Sequence, residues 1–239
     1  VKTLSKNIVV LTGAGISAES GLKTFRDNNG LWEQHRVEEV ATPEAFEANP
    51  DLVYRFYNAR RAQLAEPGIQ PNPAHLALVT LEQACAGEFL LVTQNVDDLH
   101  QRAGTRNIIP MHGQLRQARC LRSGKTTDIA DGLDARNRCN CCQPPSSMRP
   151  NIVWFGEIPL QMDSIQQALC RADLFIAIGT SGQVYPAAGF AAVAAEWGAE
   201  TVELNLEKTG GAFGQGFYGA ASKVVPDFVS KLLRDTDVD

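Results

Sequence analysis

No apolar run in this 239-residue chain approaches the roughly 20 residues that a membrane span needs, and its start has neither a charged n-region nor a signal-like apolar stretch. A soluble, cytoplasmic protein with no membrane partner is therefore expected. Basic residues are in deficit: 22 Lys and Arg face 27 Asp and Glu, for a formal net charge of −5. That balance argues against a general basic surface for nucleic acid. No internal repeat is present. The six cysteines do not have the spacing of a disulfide framework. Cys85 and Cys170 fall in expected helices (76–85 and 165–170), where they read as packed thiols, and the other four crowd between positions 120 and 142. The length suits one α/β domain of good size with room for a small insertion.

The apolar, β-branched run from Asn7 to Thr12 reads as a buried strand, and it leads directly into Gly13, Ala14, Gly15, Ile16, Ser17 and Ala18. A strand, then Gly-x-Gly-x-x-Ala, then a helix is the first turn of a Rossmann dinucleotide-binding unit. Its glycines let the backbone lie close to a pyrophosphate at the helix N-terminus. The expected class is thus α/β: a Rossmann-type parallel sheet with helices on both faces, a helical subdomain and a small cysteine-containing insertion. The polar stretch that follows carries Phe25, Arg26 and Trp32, which suit either a loop closing over a ligand or a plain surface loop.

Thr42 and Pro43 begin one helix and Asp51 to Leu64 forms another. On the second, Val53, Tyr57, Arg60 and Leu64 share one stripe, so Arg60 stands where the pattern asks for an apolar residue. An inward guanidinium calls for an anion, which Tyr57 one turn away could also bind; a snorkelling arginine is the alternative. Asn72 and Pro73 cap a further helix containing His75, a structural histidine. Glu88 to Thr93 is a second buried strand, delivering Gln94, Asn95 and Asp97 at its carboxyl end, where ligands of open α/β sheets bind. Asn95 and Asp97 suit such a site or the capping of the helix carrying Leu99 and His100. His112, ending the short apolar segment from Asn107 and followed by Gly113, suits a general base or a structural role.

Cys120, Ser123, Cys139 and Cys142 follow the spacing C-x2-C-x15–20-C-x2-C of a structural zinc site, with serine at the second ligand position. Cys120, Cys139 and Cys142 are the candidate ligands. Cys141, another side chain or water could complete the tetrahedron, or the module could bind metal weakly. Beyond it lie the extended stretch from Pro150 to Glu157, a strand from Ala172 to Ile178, and a small-residue turn from Gly179 to Gly182. An alanine-rich helix from Pro186 to Trp197, a strand from Glu200 to Asn205, a glycine-rich loop from Gly210 to Gly219 and a closing helix from Val224 to Leu233 complete the chain.

Gly13 to Ser17, Gln94 to Asp97, His112-Gly113, Phe155-Gly156-Glu157, Gly179-Thr180-Ser181 and Asn205-Leu206-Glu207, in this order around the cysteine module, resemble the sirtuins over nearly the whole chain. The Tyr57-x-x-Arg60 pair is similar to the signature of class III members, including bacterial ones that remove both acetyl and succinyl groups from lysine. The resemblance implies one catalytic domain: a Rossmann core over about 1–30, 88–112 and 150–239, a helical segment over about 31–87 and a zinc module over about 115–148.

It also implies an activity, the NAD-dependent removal of acyl groups from protein lysine, releasing nicotinamide and O-acyl-ADP-ribose. Gln94, Asn95 and Asp97 would position the ribose and nicotinamide, and His112 would deprotonate a ribose hydroxyl. Gly13, Ala14, Gly15, Ser17, Phe25, Arg26 and Trp32 would contact NAD in the glycine turn and closing loop. Gly179, Thr180, Ser181, Asn205, Leu206, Glu207 and Ala221 would surround its adenosine half. Val153, Phe155, Gly156 and Glu157 would pair with substrate peptide as an added strand. Ala41 leaves room for a long acyl chain whose carboxylate Tyr57 and Arg60 would hold. Zinc is the implied structural metal, acyl-lysine proteins or peptides are the partners, and the protein acts as a monomer. Competing readings are mono-ADP-ribosyl transfer to protein and a nucleotide-sensing module without turnover. A hydride-transferring dehydrogenase would leave His112 and Asn95 without work.

Overall fold

The structure, a computed structural model, describes residues 4–22, 31–32 and 35–235. The expected NAD contacts Phe25 and Arg26 lie outside the described residues, as does the side chain of Trp32.

The elements in chain order are β1 (Ile8–Thr12), β2 (Leu31–Trp32), β3 (His35–Arg36), α1 (Val37–Val40), α2 (Pro43–Ala48), α3 (Pro50–Leu64), α4 (Pro73–Ala84), β4 (Phe89–Thr93), α5 (Leu99–Ala103) and β5 (Ile108–Pro110). There follow β6 (Gly113–Cys120), β7 (Thr126–Asp128), β8 (Met148–Ile152), α6 (Met162–Arg171), β9 (Leu174–Ile178), α7 (Phe190–Glu196), β10 (Glu200–Asn205), β11 (Gln215–Tyr218) and α8 (Ala221–Asp235).

Six strands form a parallel sheet in the order β11-β10-β9-β1-β4-β5. Both its faces are covered, as an all-parallel sheet requires. Alternation along β1 sends Ile8 and Val10 to one face, against Leu78 and Leu81 of α4 and Val225 and Val229 of α8. Val9 and Leu11 go to the other, against Ile165 and Leu169 of α6 and Phe190 of α7. From β1 the chain builds outward through β4 and β5, then returns to β1's other side with β9 and builds the opposite way. The order therefore reverses between β1 and β9, the switch point at which open α/β sheets hold ligands.

Two expectations change here. The helix expected after the glycine turn is replaced by two single 3-10 turns, Ala14–Ile16 and Ala18–Ser20, ended by Gly21 at φ 91°. This short stretch has no apolar stripe at helical spacing to bury, so no α-helix propagates. The glycine-rich 210–219 stretch is not all loop: Gln215 to Tyr218 pairs with Val202 to Asn205 as the edge strand β11. The alternating Phe217 packs on the core, a signal that the glycines obscured.

The second layer is assembled on α3. Thr42 and Asn49 cap α2 and α3 by accepting from Ala45 N and Leu52 N, at 3.1 Å each, and Pro43 and Pro50 occupy the first helical positions. One side of α3 packs Val53, Phe56, Tyr57 and Leu64 with Val40, Ala41, Leu115, Ile152 and Trp154. Its neighbouring side holds the cysteine module: Tyr54 packs with Ala118, Cys120, Leu133, Cys139 and Met148, its hydroxyl donates to Met148 O at 2.7 Å, and Asn58 exchanges hydrogen bonds with the Leu133 backbone. The module's antiparallel sheet runs β7-β6-β8. Residues 148–152 are a strand of this sheet, hydrogen-bonded to β6.

Candidate active site

The two small-residue turns meet at the switch point, backbone against backbone. Gly13 N donates to Ile178 O at 3.0 Å and Gly15 N to Gly179 O at 2.9 Å. A Cβ on Gly15 would lie 2.7 Å from Gly179 Cα, and one on Gly13 would lie 2.7 Å from Gly179 O. These glycines are needed for the contact between turns, a requirement separate from the approach of a phosphate.

Side chains delivered by the carboxyl ends of β4 and β10 bind this pair of turns. Gln94 Nε2 donates to Thr180 Oγ1 at 2.9 Å, and Asn205 Nδ2 donates to Thr180 O at 2.7 Å. Asn95 Nδ2 donates to Gly13 O and to Ser17 Oγ, at 3.1 and 3.2 Å, and Ser17 Oγ donates to Asp97 Oδ2 at 3.0 Å. Asp97 also accepts from Leu99 N at 3.0 Å, so it closes the turn ahead of α5, whose N-cap is Asp98, as well as joining the cluster. Burial raises its pKa to about 6, against the lowering effect of the Leu99 and Ser17 hydrogen bonds. Ser181 sits in the turn after β9, while Leu206 and Glu207 are exposed just past β10 and Ala221 opens α8.

Beneath the cluster runs a buried polar chain. Asn72, which caps α4, donates to Ile16 O and Ser20 Oγ, tying that helix to the glycine turn. Asn72 N donates to His75 Nδ1 at 3.3 Å, the His75 and His100 rings are 4.8 Å apart, and His100 Nε2 lies 3.0 Å from Thr12 Oγ1. Burial lowers both histidine pKa values, that of His75 to about 4.

His112 follows β5. Its Nδ1 lies 3.1 Å from Gln94 O, and a carbonyl only accepts, so Nδ1 carries the proton and the neutral ring presents Nε2 as a lone pair. Burial lowers its pKa, opposed by that hydrogen bond. Three consecutive residues then join His112 to the α3 layer. Val153 N donates to His112 O at 2.8 Å, Trp154 Nε1 donates to Tyr57 Oη at 3.0 Å, and Phe155 N donates to Ala41 O at 3.0 Å. Phe155 and Gly156 are exposed beyond this junction, whereas Tyr57 and Ala41 are buried. Arg60 is half-buried, with its guanidinium 5.5 Å from the Phe56 ring centre, and burial lowers its pKa.

The side chain of Glu157 is held from within the fold. Its carboxylate turns inward, accepting from Arg149 Nη1 and Nη2 at 2.7 and 2.8 Å, from Trp154 N at 2.8 Å and from Arg119 at 3.3 Å. The buried Arg149 that holds it was not singled out in the sequence, where a lone arginine before Pro150 carries no pattern.

The metal ligand set also changes. The thiols of Cys120, Cys139, Cys141 and Cys142 all lie within 4.8 Å of one another. Ser123 Oγ is 3.0 Å from Cys141 Sγ, so Cys141 occupies the place that the spacing had assigned to residue 123. Ser123 N and Ser146 N point at the sulfurs of Cys120 and Cys139, at 3.4 and 3.2 Å, which suits thiolates. Four sulfurs so arranged fit tetrahedral zinc.

The Sir2 family profile matches residues 13–186. The chain belongs to the Sir2 family. It is 59% identical over 229 residues, 95% of its length, to an NAD-dependent protein deacylase of Escherichia coli strain K12, covering 82% of that protein. It is 60% identical over 229 residues to one from Salmonella typhimurium strain LT2, covering 95% of this chain and 84% of that protein. Among solved structures, a Sir2 homologue–NAD complex superposes with a TM-score of 0.84 at 37% identity, covering 95% of this chain and 90% of the other. A Sir2 homologue point mutant with ADP-ribose gives 0.86 at 36% identity, covering 97% and 94%. Among the described residues of this Sir2 chain, no helix is long and apolar enough to cross a membrane.

Proposed function

We propose that this protein is an NAD-dependent protein-lysine deacylase that removes succinyl as well as acetyl groups and releases nicotinamide and O-acyl-ADP-ribose. The observation that supports this reading is the Val153–Trp154–Phe155 junction, three consecutive residues hydrogen-bonded to His112 O, Tyr57 Oη and Ala41 O. In this reading one short segment ties the general base to the residues that receive the acyl group.

NAD supplies the electrophilic ribose carbon and the hydroxyl that accepts the acyl group. The chain's residues orient these parts. Asn95, Asp97 and Gln94 present amide and carboxylate groups at the switch point for the ribose and nicotinamide, and Thr180, Ser181, Asn205 and Glu207 line the adenosine side. His112 Nε2 takes a proton from a ribose hydroxyl, its tautomer held by Gln94 O. Phe155 and Gly156 present an extended edge to the substrate backbone. Tyr57 and Arg60 hold an acyl carboxylate, the hydroxyl through a hydrogen bond and the guanidinium through charge and a planar donor pair that an acetyl group cannot engage. Acylated proteins are the partners, met by a cytoplasmic monomer, and zinc on the four cysteines fixes the module without entering the reaction.

The test is incubation with NAD and matched acetyl-lysine and succinyl-lysine peptides, following free nicotinamide and peptide mass together. Stoichiometric nicotinamide release with faster succinyl loss supports the whole reading. Acetyl loss alone removes the carboxylate clamp, and ADP-ribose retained on protein replaces deacylation with ADP-ribosyl transfer.

A further inference from the structure

Behind Tyr57 lies a largely buried polar assembly of Arg149, Glu157 and Trp154. Arg149 is 6% exposed and makes a two-pronged contact with Glu157, a third hydrogen bond to Ile152 O at 2.8 Å, and a face contact with Trp154, whose ring centre lies 3.3 Å from the guanidinium carbon. Glu157 also receives Trp154 N, so the ion pair grips both the ring and the backbone of the tryptophan. Trp154 is 2% exposed, with Phe46 5.3 Å away, and its one donor, Nε1–H, is directed to Tyr57 Oη. Burying an arginine and a carboxylate together is expensive unless every contact is well made, and aliphatic packing would serve stability at least as well. The geometry has a further effect: an oxygen that accepts from an indole N–H presents its own O–H as a donor. That is the polarity needed to bind a carboxylate.

We infer that Arg149 and Glu157 are positioning residues for acyl-group selection, acting through Trp154 to fix the Tyr57 hydroxyl as a donor toward acidic acyl chains. The inference rests on the Tyr57/Arg60 carboxylate clamp proposed above. Arg149→Lys keeps the charge but cannot form the fork or cover the ring, and Glu157→Gln keeps the shape but not the charge. Trp154→Phe keeps an aromatic ring but removes the donor together with the fused ring's packing, so its effect is read against acetyl activity in the same variant.

The measurement is kcat and KM for succinyl and acetyl peptides in each variant, repeated in a Tyr57→Phe background. The expected result is a fall of about tenfold in the succinyl-to-acetyl ratio of kcat/KM, carried by succinyl KM, the size of one lost charge-assisted hydrogen bond. In the Tyr57→Phe background the same substitutions should move the ratio no further, because the hydroxyl through which they act is gone. Parallel loss of both activities, or an undiminished effect in Tyr57→Phe, overturns the inference and leaves Arg149 a structural residue. If Arg60→Met and Tyr57→Phe leave the ratio unchanged, the clamp itself fails, a result distinct from its survival with unresponsive Arg149 variants. Should Arg149→Lys not fold, Glu157→Gln decides: a fall in the ratio supports the inference and an unchanged ratio overturns it.

Discussion

The imidazole of His112 stands 3.1 Å from the carbonyl oxygen of Gln94, and that single contact selects the tautomer whose Nε2 can accept a proton. Because burial lowers its pKa, His112 is neutral across the physiological range. Activity should hold as pH falls toward 6.5 and decline only below it, as Nε2 becomes protonated. His112→Ala should lower kcat by about 10²–10⁴-fold and remove that acid limb. A pH–rate profile with acyl peptide checks both; an acid limb retained in the variant assigns it to another group.

Gly15 faces Gly179 so closely that a methyl group cannot enter without separating the two turns. Gly15→Ala should cost about 1–3 kcal/mol through overpacking, and should raise the KM for NAD because the same turns form the switch-point crevice. Thermal melts and NAD titration read the two effects separately.

The buried His75–His100 pair makes the fold acid-sensitive. In the unfolded chain a histidine takes up a proton near pH 6.5, whereas His75 resists until about pH 4, so stability must fall as pH drops through that window. For His75 the loss is on the order of 3 kcal/mol by pH 4. His100, lowered further, adds in the same direction. Asp97 acts oppositely: raised to about 6, it favours the folded state below that pH and loses this contribution as pH rises from about 4 to 6. Two histidines outweigh one aspartate, so urea midpoints should fall from pH 7 to pH 4.5. His100→Gln should flatten the dependence, and a profile steeper than wild type would contradict the assignment.

Cys141 can be separated from Ser123 by substitution. Cys141→Ser should lower bound zinc and shift the melting temperature down by several degrees, whereas Ser123→Ala should change neither. Chelation of the wild type should reproduce the Cys141→Ser melt. Zinc content by atomic emission, with melts in parallel, provides the readout. Equal zinc in wild type and Cys141→Ser would return the fourth position to water or serine.

Arg60→Met should lower kcat/KM for a succinyl peptide by at least about tenfold more than for the acetyl peptide, since a charge-assisted contact is lost only in the first case. Equal losses would remove the clamp.

The parallel sheet was legible because its strands are buried on both faces and read as unbroken apolar runs: Ile8 to Thr12, Phe89 to Thr93 and Leu174 to Ile178. Caps at Thr42 and Asn72 were legible because capping is chemistry within three residues. The candidate site residues at strand ends, Gln94, Asn95, Asp97, His112, Thr180 and Asn205, could be named because chain order and strand polarity place them at one edge of such a sheet.

What lay beyond the sequence depends on pairings between distant segments. That Gly15 packs on Gly179, that the Glu157 carboxylate meets Arg149, and that Cys141 rather than Ser123 joins the other three thiols are set by where β8, β9 and the 139–142 segment come to rest. A residue's type and neighbours determine what it can donate or accept. Only the packed chain determines which of several chemically adequate partners lies within 3 Å, because hydrogen bonds and metal–thiolate bonds weaken steeply over fractions of an ångström.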